Sequence, residues 1–100
     1  MIRLILVTAL IFPLGPIPTV QAQVTVDLSK INCDQFSGAK IANPEQIGIW
    51  LSGYYNGKRG NLIIDTLKLQ ENTKTVQYYC VSHPKMLLLD AVKKVLGVEE

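Results

Sequence analysis

From Asn43 to Leu96 the apolar positions recur with the period of helices rather than strands. Asn43-Pro44-Glu45-Gln46 reads as a helix start. Asn suits the N-cap, Pro the first helical position, and Gln46 stands where a capping box places its return partner. Ile47, Trp50, Leu51 and Tyr54 then fall at i, i+3, i+4 and i+7, which predicts one buried apolar face. Asn56-Gly57 offers the left-handed backbone of a C-cap. Lys58 and Arg59 follow, beside the negative end of the helix dipole. Further on, Asp65 is placed to cap a helix beginning at Thr66. Leu69, Thr73, Val76 and Cys80 carry that stripe toward Ser82, with Asn72 a candidate break. The last helix is expected from about Lys85 to Leu96, after Pro84, with Leu88, Ala91, Val92, Val95 and Leu96 as its stripe and Gly97 as its stop. Leu62-Ile63-Ile64 has the composition of a strand, but so short a chain offers it no partner. Upstream, Ile31 to Phe36 forms a short helical turn around Cys33, ending at Gly38, and Gln23 to Lys30 an extended arm. The pattern predicts an all-α fold: one small compact domain of three main helices plus a short N-terminal turn.

Met1 to Ala22 does not belong to that pattern. Arg3, an apolar run from Leu4 to Leu14, the break at Gly15, Pro16 and Pro18, and Val20-Gln21-Ala22 have the order of a secretory signal peptide, with cleavage expected after Ala22. The run is short of the roughly 20 residues a spanning helix needs. No basic stop-transfer cluster follows, so no membrane association is expected after cleavage. Residues 23–100 remain as the domain, 78 residues with nine Lys and Arg against eight Asp and Glu. A formal charge of +1, scattered along the chain, gives no case for nucleic acid or an anionic membrane as partner. The two cysteines, Cys33 and Cys80, are an even count in an exported chain, which points to one disulfide. The loop it closes, about 48 residues, is worth about 4 kcal/mol in the chain-entropy model. That is a large share of what so small a core supplies.

Little in the sequence supports catalysis. Cys80-x-x-His83 puts a thiol and an imidazole one helical turn apart, the spacing an activated nucleophile needs, but a disulfide removes the thiol. Two cysteines and one histidine without C-x-x-C spacing make a poor zinc set, and no cofactor is implied. Of the carboxylates Asp27, Asp34, Glu45, Asp65, Glu71, Asp90, Glu99 and Glu100, only the last two are adjacent, on the tail, so a glycosidase pair has no support. Gly57-Lys58-Arg59-Gly60 follows a helix and therefore presents carbonyls rather than the amides of a phosphate cradle. The more telling signal is surplus apolar side chains. Ile49, Tyr55, Tyr78, Met86, Leu87 and Leu89 lie off or at the edges of the stripes, which suggests a protein-binding or dimer surface.

Several segments together resemble the HdeA/HdeB family of periplasmic acid-stress chaperones. They are Val26-Asp27 upstream of Cys33-Asp34-Gln35-Phe36, then Ile49-Trp50-Leu51-Ser52-Gly53-Tyr54-Tyr55-Asn56-Gly57, and Asp65 leading to Lys74-x-Val76-x-x-Tyr79-Cys80-x-x-x-Pro84. The cysteine spacing and the W-x-x-G-Y-x-x-G segment are the most specific parts. The resemblance implies a periplasmic, non-enzymatic, ATP-independent holdase. Such a protein, often a homodimer near neutral pH, loosens in acid and holds unfolding periplasmic proteins on exposed apolar surface. Trp50, Tyr54, Tyr55, Met86, Leu87 and Leu89 are the expected client or dimer contacts, and Asp27, Asp34, Glu45, Asp65, Glu71 and Asp90 the acid-titrating groups. Below about pH 3 carboxylates are protonated and His83 is charged, so the domain's formal charge moves from +1 to about +10. Self-repulsion then opposes the compact state. A competing reading is a binding protein with one dedicated partner, of the immunity type, which would stay rigid in acid.

Overall fold

The structure, a computed structural model, describes residues 8–15 and 25–98. The expected cleavage point after Ala22 and most of the expected signal peptide lie outside them. Within that peptide, residues 8–15 are described and carry no regular secondary structure. Four helices make up the domain: α1 Cys33–Ser37, α2 Pro44–Lys58, α3 Thr66–Val81 and α4 Leu88–Leu96. No strand occurs among the described residues, only an isolated antiparallel bridge between Asn32 and Leu87. The arrangement is the expected all-α domain of three main helices and a short N-terminal turn.

α3 is the hub, with α1, α2 and α4 all packed against it. Its stripe of Thr73, Val76 and Cys80 is buried as the spacing predicts, and it runs unbroken through Asn72. Asp65 caps it, accepting a hydrogen bond from the Lys68 N–H at 3.0 Å. Cys80 is joined to Cys33 across the interface with α1, Cα to Cα 4.6 Å, and both cysteines are wholly buried beside Phe36 and Leu88. α1 has too few residues to be stable alone. Its unpaired N-terminal amides find carbonyls in the α3–α4 connection instead: Cys33 N–H donates to Met86 O (2.7 Å) and Asp34 N–H to Pro84 O (3.0 Å). Leu88 N–H donates back to Ile31 O. Those bonds hold residues 84–87 out of helical geometry, which is why α4 begins at Leu88 rather than near Lys85. It stops at Gly97, which takes the left-handed conformation with φ 65°.

Other helix ends differ from expectation in instructive ways. Asn43 caps α2 by accepting from Glu45 N–H, and the capping box falls at α1, between Asn32 and Gln35, not at Gln46. α2 passes through Asn56-Gly57 without a left-handed turn and ends at Lys58, and Gly60 (φ 67°) makes the turn. The buried face of α2 is Pro44, Ile47, Leu51 and Tyr55. Trp50 and Tyr54, expected inside, lie one residue back around the helix and are exposed. The reason is the contact with α3. It runs through Gly48, where a Cβ would overlap the Thr73 Oγ1 and stand 3.0 Å from its Cγ2. The close approach at position 48 rotates the helix so that Tyr55, not Tyr54, points to the core.

Gly48→Ala is expected to lower stability by about 1–3 kcal/mol, the usual cost of overpacking. Thr73→Ala should recover part of it in the same background, and a double-mutant cycle by urea unfolding measures that coupling.

Candidate functional site

The outer side of α2 carries a row of large side chains at i, i+4 and i+8. The Trp50 and Tyr54 rings stack at 5.3 Å, and Lys58 Nζ sits 4.4 Å above the Tyr54 ring. Trp50 and Tyr54 form one wall of a groove of about 650 Å³, whose other apolar wall is made by Val26, Leu28 and Leu89. Of the six expected contact residues, three thus meet at one place: Trp50, Tyr54 and Leu89. Met86 and Leu87 lie apart, in the connection pinned to α1, Met86 partly buried and Leu87 exposed. Tyr55 is only 5% exposed and belongs to the core, so in the folded chain its ring presents no contact surface.

A second apolar surface was not among the expected contacts. Residues 61–65 run between α2 and α3 without regular structure. Leu62 is 91% exposed, Ile63 82% and Ile64 63%, and Leu67 on the first turn of α3 is 71% exposed. Residues of this kind so fully in water are unusual on a stable monomer and mark contact sites. The sequence did carry the signal: a strand-like apolar triplet with no strand to pair with.

The carboxylates show a placement that no sequence spacing made obvious. Every helix starts with one. Asp34 stands in the first turn of α1, Glu45 in that of α2, Asp65 at the N-cap of α3 and Asp90 in the first turn of α4. Each faces the positive end of a helix dipole, where a negative charge stabilises by about 0.3–1 kcal/mol. Asp34 also pairs with Lys40 Nζ at 2.6 Å, a half-exposed ion pair of small net value. Asp27 lies on the arm that lines the groove. Hydrogen bonds from the Ser29 hydroxyl (2.6 Å) and backbone N–H (3.0 Å), with Lys30 close by, hold its carboxyl below the usual carboxylate range. Glu71 is exposed on α3, away from any helix start.

The candidate nucleophile is absent in chemical terms, since Cys80 has no thiol in the disulfide. His83 stacks on Tyr79 at 4.0 Å and places Nδ1 2.9 Å from the Tyr79 carbonyl, at the exposed end of α3. Lys58 to Gly60 closes α2, with Arg59 and Gly60 N–H groups donating to the Asn56 and Gly57 carbonyls.

These features describe a small disulfide-linked helical domain whose distinctive surface is apolar and whose charges gather at helix starts. The chain belongs to the HdeA/HdeB family, whose model matches residues 1–90. The family is known for periplasmic acid-stress chaperones, not for enzymes. No curated protein and no solved structure matches the chain. No helix among the described residues is long and apolar enough to cross a membrane.

Two measurements separate surface from core. Trp50→Ala should leave the unfolding midpoint nearly unchanged, whereas Tyr55→Ala should cost about 3–5 kcal/mol. Asp27 has a folded pKa below its unfolded one, so its stabilisation is present at neutral pH and disappears as pH falls below the usual carboxylate range. Asp27→Asn should therefore lower the urea midpoint at pH 7 and make no difference at pH 2.

Proposed function

We propose that the chain is an ATP-independent holdase of the periplasm, exported through its N-terminal signal peptide and switched on by acid. The observation that carries this reading is the carboxylate at the start of every helix, on a domain that exposes Trp50, Tyr54, Leu62, Ile63 and Leu67. At neutral pH those carboxylates stabilise all four helices at once. Carboxylates are protonated in strong acid, and the helix starts then lose that interaction. A chain of this length has only about 4–12 kcal/mol of stability in total, so small losses at several helices weigh on it. Self-repulsion acts in the same direction.

The disulfide does not titrate. It keeps α1 on α3, while α2 and the 61–65 segment, inside the loop it closes, are free to move away. That widens the groove at Trp50 and Leu89 and brings Tyr55 within reach of unfolding proteins. At neutral pH a second copy of the chain is the occupant that suits Leu62 and Leu67, and dissociation in acid would uncover them.

The test is aggregation of an acid-labile periplasmic enzyme at pH 2–4 and at pH 7, with the disulfide intact. Suppression in acid that vanishes at pH 7 is expected, with apolar-dye binding rising over the same range. Replacing Leu62 and Ile63 with Ser should weaken the suppression severalfold. A chain that stays compact, dye-silent and inactive in acid would instead be a binding protein with one dedicated partner.

A further inference from the structure

Between the α2–α3 hairpin and the end of α4 lies a second cavity, of about 440 Å³. That falls within the range of small-molecule pockets, roughly 300–1,000 Å³. All four helices contribute apolar side chains to its lining: Phe36 of α1, Leu51 and Tyr55 of α2, Leu69 and Val76 of α3, and Val92 and Leu96 of α4. The rim is of the opposite character. Arg59 and Lys68 stand there, from the end of α2 and the first turn of α3, together with Asn61. The Arg59 guanidinium is steadied by Asn56, whose Oδ1 accepts from Nη2 at 2.8 Å, and Asn61 Nδ2 bonds the same oxygen at 3.4 Å. Asp65 also lines the cavity, but its carboxylate accepts the Lys68 backbone N–H as the cap of α3. Ile63 and Ile64 form a lip.

We infer that this cavity binds a single-chain amphipathic anion, an acyl carboxylate whose hydrocarbon lies along Ile63, Leu69, Leu96 and Val98, the lining residues that keep exposed surface, and whose head meets Arg59 and Lys68. The apolar lining favours hydrocarbon by removing it from water. The two rim cations select the charge of the head, because a carboxylate between them gains charge-assisted hydrogen bonds that a neutral or cationic head does not. This site stands independently of the holdase reading, since it requires the folded chain at neutral pH.

Calorimetric titration at pH 7 with dodecanoate, dodecanol and dodecyltrimethylammonium, each below its micelle concentration, tests it. Saturable one-to-one binding of dodecanoate is expected, with the neutral and cationic chains at least tenfold weaker. Arg59→Gln with Lys68→Gln should weaken dodecanoate by about tenfold or more, the order expected for losing hydrogen bonds to a charged group, and leave dodecanol unchanged. Both residues are exposed, so the variants are expected to fold, which circular dichroism checks. Methyl NMR shifts should localise at Leu96 and Val98. Equal binding of all three chains, shifts confined to Leu28 and Leu89 of the outer groove, binding only to anionic phospholipid vesicles, or no saturable binding would each overturn the proposal.

Discussion

The bond between Cys33 and Cys80 is the constraint on which the rest of the domain depends. α1 has five residues and no stability of its own. It persists because the bond fixes it to α3 at a point wholly out of water, and because Pro84 and Met86 supply carbonyls to its first amides. Those same hydrogen bonds set the start of α4 and so place Leu88, Ala91 and Val92 over the disulfide. One covalent link thereby organises three of the four helices. α2 is the exception. Its principal helix contact is with α3 alone, through Gly48 and Thr73, and it lies within the disulfide loop without being fastened to it. The domain has a covalently secured half and a half held by packing.

That division gives the proposed acid response a direction. Charge lost at Asp34 and Asp90 weakens helices that the disulfide and its neighbouring hydrogen bonds still hold. Charge lost at Glu45 and Asp65 weakens α2 and the start of α3, where packing alone opposes movement. The exposed aromatics and the Leu62–Ile64 segment sit on that second half. In the proposed response, opening therefore begins where the apolar surface already is.

Much of this was legible in the residues. Asp65, Gly97, Asn43-Pro44 and the stripe of α3 act on their own helix, so local rules located them. The rotation of α2 was not legible, because it follows from the approach of Gly48 to Thr73, a contact between helices. With Ile47, Trp50, Leu51 and Tyr54 at perfect helical spacing, the pattern permitted a face one residue away from the true one, and aromatic size weighed toward the wrong choice. The start of α4 was misplaced for a similar reason: Lys85 to Leu87 can be helical, but the first amides of the distant α1 claim the carbonyls of Pro84 and Met86. Of the carboxylates at helix starts only Asp65 was read as one from the sequence, and Asp90 became one only when α4 was found to begin at Leu88. Their joint meaning emerged only when all four helix boundaries were known.

The swing in net charge from neutral pH to acid does not by itself distinguish this protein. Any domain with eight carboxylates undergoes it, and many remain folded. A formal charge of +1 on residues 23–100 at neutral pH also means that little repulsion is stored beforehand. What makes acid a specific signal here is position. A carboxylate in the middle of a surface helix loses a screened, weak interaction when it is protonated, as Glu71 would. One at a helix start loses its interaction with the helix dipole, and at Asp65 a cap as well. Spread over four helices, such losses act in one direction. In the proposed response the disulfide limits how far the chain opens: α2 loosens while α1 and α3 stay joined.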